Sequence, residues 1–149
     1  MSRSIDPPPY RAPGGPAWFR AATGAGPVVH LSGQVPFDAS GTLVATGRLG
    51  AEVDVATGYR CARQCAANLL GVLADELGDL DRVEHLVKLT VFVASVPDFT
   101  EQPAVAHGAS ELLAEVLGAR GAHSRSAIGV AALPLGSPVE AELVALVRP

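Results

Sequence analysis

Two cysteines, a single lysine and the lack of any long apolar run already narrow what this chain can do. Cys61 and Cys65 stand four apart, a spacing that fits neither a redox Cys-x-x-Cys pair nor half of a zinc site. They read as small buried apolar side chains. The four histidines, His30, His85, His107 and His123, show no metal-ligand spacing, so no metal is expected. No apolar run approaches the roughly 20 residues that cross a bilayer, so no membrane partner is expected. Prolines follow Arg3 where a signal peptide would need an apolar stretch, and a cytoplasmic location is the expectation. Basic residues are few and scattered, eleven against fifteen acids for a net charge of -4, which opposes a nucleic-acid surface. One tryptophan, two tyrosines and four phenylalanines form no base-stacking cluster. Lys88 lacks a carbonyl-binding context and reads as a strand-edge charge rather than a Schiff-base lysine. Ser32 lies outside any Gly-x-Ser-x-Gly elbow, so a hydrolase nucleophile is poorly supported; a strand-end serine bonded to backbone is the plainer reading.

What is present is apolar and patterned. With 149 residues, 48% of them hydrophobic, and a mean hydropathy of +0.29, the chain is long enough for one domain with a proper core. Residues 1–16 carry Pro7, Pro8, Pro9, Pro13 and Pro16 and read as an extended arm, either mobile or laid on a neighbouring subunit. Residues 17–149 form the single domain.

Trp18–Ala21 reads as a first strand and Val28–Gly33 as a second, with Thr42–Ala45 as its hairpin partner. Asp54 or Thr57 caps a helix over roughly 57–77. Its apolar face runs through Cys61, Cys65, Leu69 and Leu73, its solvated side through Arg60, Arg63, Gln64, Asp75 and Glu76, and Gly78 ends it. Leu86–Ala94 is nearly continuously apolar and is expected to be central and buried on both faces. Asp98 and Glu101 have capping-box spacing before a second helix. Pro103 moves its start to Thr100–Gln102, and it ends near Leu117. The order hairpin, helix, strand, helix, strand, strand predicts an α+β layer with two helices on one face of a mixed sheet. Apolar strands at both ends of the chain leave too much uncovered sheet for a monomer.

The stretch from His123 to Leu146 reads as two strands joined by a Leu-Pro-Leu-Gly-Ser-Pro turn. Val139, Ala141, Leu143, Ala145 and Val147 alternate with Glu140, Glu142, Val144 and Leu146, the period of a strand. Arg125 precedes one apolar run and Glu140 opens the next. A guanidinium at the end of a buried strand needs an anion, and its planar fork suits a carboxylate. Glu140 and the carboxylate of a small substrate both qualify, as does a plain structural ion pair.

Ser-Arg-Ser-Ala-Ile-Gly-Val-Ala-Ala-Leu-Pro followed by Val-Glu-Ala-Glu resembles the signature segment of the RidA/YjgF imine deaminase family. Leu31-Ser-Gly-Gln-Val-Pro36 does so as well, and Asp81-Arg-Val-Glu-His-Leu-Val-Lys-Leu-Thr-Val-Phe-Val93 is similar to the family's helix-to-strand passage. Together they span about residues 28 to 147. The resemblance implies a chorismate-mutase-like homotrimer with pockets between subunits. It also implies cofactor-free hydrolysis of reactive 2-imino or 2-enamino acids to 2-keto acids and ammonia. Arg125 would anchor the substrate carboxylate and Glu140 would orient water or move a proton. Ser32, Gly33 and Ala127 would line the pocket, with Phe19 and His107 beside it. Phe19 stands where such deaminases carry a tyrosine, Ala127 where they carry a cysteine, and Pro103 or Gly108 where they carry an asparagine. A pathway-specific enzyme acting on another carboxylate-bearing metabolite, and a non-catalytic small-molecule-binding trimer, are the alternatives on the same scaffold. Family members are sometimes labelled ribonucleases, a reading that charge and ligand spacing oppose here.

Overall fold

The computed structural model describes residues 4–149. Five strands, β1 (Ala22–Ala25), β2 (Val28–Gln34), β3 (Val83–Ala94), β4 (Ser124–Val130) and β5 (Val139–Val147), form one sheet in the order β1-β2-β5-β3-β4. Only β3 and β4 are parallel; the other pairings are antiparallel. Two helices, α1 (Val55–Leu77) and α2 (Gln102–Leu117), pack on one face, giving the α+β layer that the periodicity predicts. Leu69, Leu70 and Leu73 of α1 and Leu112 and Leu113 of α2 are buried against Leu86, Leu89, Val91 and Leu143 of the sheet. Each such side chain contributes about 1.5–3 kcal/mol on leaving water.

Several local expectations are met. Asp54 caps α1 by accepting from the Thr57 amide at 2.8 Å, and Gly78 closes the helix in the left-handed region. Cys61 and Cys65 are buried; burial pushes the Cys61 thiol up to about 11 and raises the Cys65 thiol well above its ordinary value, which makes both poor nucleophiles.

Others are corrected. The first strand begins at Ala22, and Trp18 lies exposed in a turn, uncovered among the described residues. Thr42–Ala45 is not a strand; a lone bridge between Phe37 and Leu43 replaces it. The cap of α2 is Glu101, with no side-chain cap bond, so Asp98 closes no capping box. β3 is not buried on both faces. Leu89, Val91 and Val93 are buried under the helices, whereas Lys88, Thr90 and Phe92 are half-buried, because helices cover one face only. Gln64 is buried rather than solvated, since the proline-rich arm lies over it.

That arm is docked on its own chain. The Tyr10 amide donates to Asn68 Oδ1 at 2.7 Å, Gln64 Nε2 donates to the Pro8 carbonyl at 3.1 Å, and Arg11 bonds the Gly71 carbonyl and pairs with Asp75. Pro9 packs where a Gly71 side chain would stand, 2.7 Å from an added Cβ.

Candidate functional site

Arg125 and Glu140 do not sit on the two arms of a hairpin. β3 runs between their strands: Leu89 pairs with Arg125 and Phe92 pairs with Glu140. Partners across a ladder share a face, and residues three apart on one strand point to opposite faces. Arg125 therefore projects with buried Leu89 toward the helices, and Glu140 projects with Phe92 toward the bare face. The expected hairpin fails because β4 joins β3 in parallel and the chain from 131 to 138 carries it to the far side of β3.

Arg125 is half-buried, and its guanidinium meets α2. Its Nη1 donates to Nδ1 of His107 at 3.0 Å and to Oγ of Ser110 at 3.1 Å. Ser110 Oγ in turn lies 3.0 Å from Nε2 of His123, whose Nδ1 lies 2.6 Å from the Gly121 carbonyl. Among the described residues no carboxylate pairs with Arg125, whereas Arg63 is paired with Glu115 and Arg120 with Asp81. Ala127 lies two residues along the same face, packed on the core. Gly129 follows it, and an added Cβ there would stand 3.0 Å from Gln102 at the start of α2.

α2 is seated by Gly108. A Cβ at that position would fall 2.0 Å from the Tyr59 carbonyl oxygen of α1. Gly108 thus has no room for any side chain, and Pro103 lies in the first turn. The neighbours His107 and Ser110 are what α2 offers to Arg125. Ser110 escaped the sequence reading; its spacing of three from His107 on a helix was the signal available.

The second group lies at the end of β2. Gly33 faces Glu140, whose Oε1 would stand 2.6 Å from a Cβ on residue 33. Burial raises the Glu140 carboxyl above the ordinary carboxylate range, and the nearby Glu142 charge adds to the effect. The Ser32 hydroxyl donates to the Arg20 carbonyl at 2.7 Å, the plainer of its two readings. Phe19, half-exposed, and Gly33 line a cleft of about 590 Å³ with Tyr10, Arg20, Phe37 and Val72. The candidate residues thus fall into two groups: Arg125, His107 and Ala127 on one face, and Ser32, Gly33 and Glu140 on the other. Among the described residues, no group of His, Cys, Asp or Glu is gathered so as to hold a metal ion, and no helix is long and apolar enough to cross a membrane.

The matches to known proteins cover both groups. Residues 11–147 match the family model described as Endoribonuclease L-PSP. The chain belongs to this family, the YjgF/RidA proteins. Protein TCP17 of Trypanosoma cruzi is 48% identical over 119 residues, which cover 79% of this chain and 74% of that protein. Atu1372 of Agrobacterium tumefaciens, a structure of unknown function, is 42% identical with a TM-score of 0.85, covering 87% of this chain and 82% of that one. A candidate endoribonuclease of Shewanella oneidensis is 30% identical with a TM-score of 0.86, covering 94% and 91%. The family's two-helix, mixed-sheet architecture is the one described above.

Proposed function

We propose that this member hydrolyses reactive 2-imino or 2-enamino acids to 2-keto acids and ammonia, at sites completed by two subunits of a homotrimer. One observation carries the reading: the guanidinium of half-buried Arg125, whose charge no carboxylate of the described chain neutralises. Such a group favours an anion from outside, and a small carboxylate fits its fork. Glu140 is the second element. Its carboxyl, raised by burial and by the Glu142 charge, suits a group that orients water at the imine carbon and passes protons. Because the two face opposite ways in one chain, a substrate that meets both takes Arg125 from one subunit and Glu140, Ser32 and Gly33 from the next. The bare sheet face supports that assembly, since half-buried Phe92, Val144 and Leu146 and exposed Ile128 otherwise remain in water.

The chemistry asks for carboxylate anchoring, a held imine and an aligned water, which position alone accelerates. Clearance of 2-aminoacrylate generated in situ, followed as ammonia release, tests it. Wild type should be active and Arg125→Ala inactive; an inactive wild type refutes the reading. A binding trimer without turnover is the second reading. It is favoured by the apolar groups at Phe19 and Ala127 and by a Ser32 hydroxyl already given to the Arg20 carbonyl. Under that reading 2-keto acids bind and no imine is consumed.

A further inference from the structure

We infer that Ser110, His123 and His107 are positioning residues that aim the Arg125 guanidinium, with His123 acting through Ser110. The inference rests on the reading above, that Arg125 grips the substrate carboxylate.

With His123 as the neutral ring, the bonds fix one arrangement of protons. The Gly121 carbonyl can only accept, so Nδ1 of His123 carries a hydrogen and donates across 2.6 Å. In the neutral ring Nε2 is then an acceptor, and the Ser110 hydroxyl, 3.0 Å away, must donate to it. With its hydrogen committed, Ser110 Oγ accepts from Nη1 of Arg125 at 3.1 Å. The guanidinium can only donate, so Nδ1 of His107, 3.0 Å from the same nitrogen, accepts the other Nη1 hydrogen. The path runs from Arg125 to Ser110 to His123 to the Gly121 backbone, with every donor facing an acceptor.

Two consequences follow for the fork. Nη1 has both hydrogens occupied, and the three hydrogens on Nη2 and Nε meet no acceptor among the described residues. Those three lie in one plane and include a pair matched to the two oxygens of a carboxylate. The holders are also neutral. A carboxylate at position 110 would fix the side chain equally well but cancel the charge that attracts the substrate, as Glu115 does for Arg63. Hydroxyl and imidazole fix direction and leave the charge available. His107 and Ser110 are three apart on α2, so they stand one above the other on the face that meets β4. Holding an arginine still in advance removes part of the side-chain entropy that binding would otherwise cost.

Calorimetric titration of 2-oxobutanoate, a stable 2-keto acid, into the assembled protein is the test. Ser110→Ala should weaken binding about tenfold, the loss of one hydrogen bond to a charged group. Ser110→Thr, which keeps the hydroxyl, should recover most of it. Ser110→Asp should weaken binding more than Ser110→Ala. His123→Gln should resemble Ser110→Ala, and the double variant His123→Gln/Ser110→Ala should be no worse than Ser110→Ala alone, because the histidine acts only through the hydroxyl. In turnover, KM should rise for Ser110→Ala while kcat stays near wild type. Wild type that binds, with Ser110→Ala binding equally well, overturns this inference and leaves the anchor standing. Failure of the wild type to bind 2-oxobutanoate overturns the anchor, and the inference with it.

Discussion

Arg125 and Glu140 stand on opposite faces of one sheet, separated by β3, with Leu89 beside the first and Phe92 beside the second. A guanidinium committed to the helix side and a carboxyl committed to the bare side cannot hold one small molecule within a single chain. The functional reading therefore depends on assembly.

The anchor should distinguish arginine from lysine. An ammonium cannot form two parallel bonds to a carboxylate, nor reach His107 and Ser110 while doing so. Arg125→Lys is expected to raise KM for 2-aminoacrylate by roughly 10- to 100-fold, the worth of one charge-assisted bond. Steady-state kinetics with a folded, assembled variant checks this, and an unchanged KM would count against bidentate anchoring.

Gly33 should matter for activity more than for stability. It does not adopt a left-handed backbone, so Gly33→Ala meets no conformational barrier. Its new Cβ would nevertheless crowd Glu140 Oε1, which must swing away. A melting temperature within a few degrees of wild type together with a fall in kcat of tenfold or more is expected. A large drop in melting temperature would show that the contact is structural.

Glu140 should leave a mark on the pH dependence of stability. Its carboxyl is raised in the folded chain by burial and by Glu142, so the folded state holds this proton more tightly than the unfolded chain does. Between the ordinary carboxylate range and the raised value, the folded state binds more protons, and stability declines as pH rises through that window. Thermal melts from acid to neutral pH should show wild type losing ground to Glu140→Gln as pH rises. Parallel profiles would contradict the raised carboxyl.

Asn68 and Gly108 should carry stability instead. Asn68 is fully buried, donates to the Val35 and Phe37 carbonyls and accepts from the Tyr10 amide and Gln64. Asn68→Ala strands these partners and is expected to cost at least about 2 kcal/mol in denaturant unfolding, more than Asp75→Ala, which removes an exposed ion pair. Gly108→Ala forces α2 off the Tyr59 backbone and should cost about 1–3 kcal/mol.

Much of this fold was legible in the residues themselves. The three-and-four spacing through Cys61, Cys65, Leu69 and Leu73 marks α1, and the alternation after Val139 marks β5, because burial on one face imposes those periods. Pairing was not legible. Nothing local in the Leu133–Pro138 turn says that β4 turns away to join β3, since partner choice is settled by the whole sheet. Asn68 was hidden for the same reason: a polar residue on a helix looks solvated until a distant arm covers it. Arg125, Glu140 and Gly33 were visible as residue types in a motif, but their separation onto two faces came only from the register. Ser110 carried no motif of its own.

Complementation between subunits tests the central claim most directly. Arg125→Ala and Glu140→Gln homotrimers should each be inactive. If each site of the proposed trimer draws its arginine and its glutamate from different subunits, co-assembly of the two variants in equal amounts should restore roughly a quarter of wild-type 2-aminoacrylate clearance. Mixed assemblies that stay as inactive as their parents would contradict a site shared between chains.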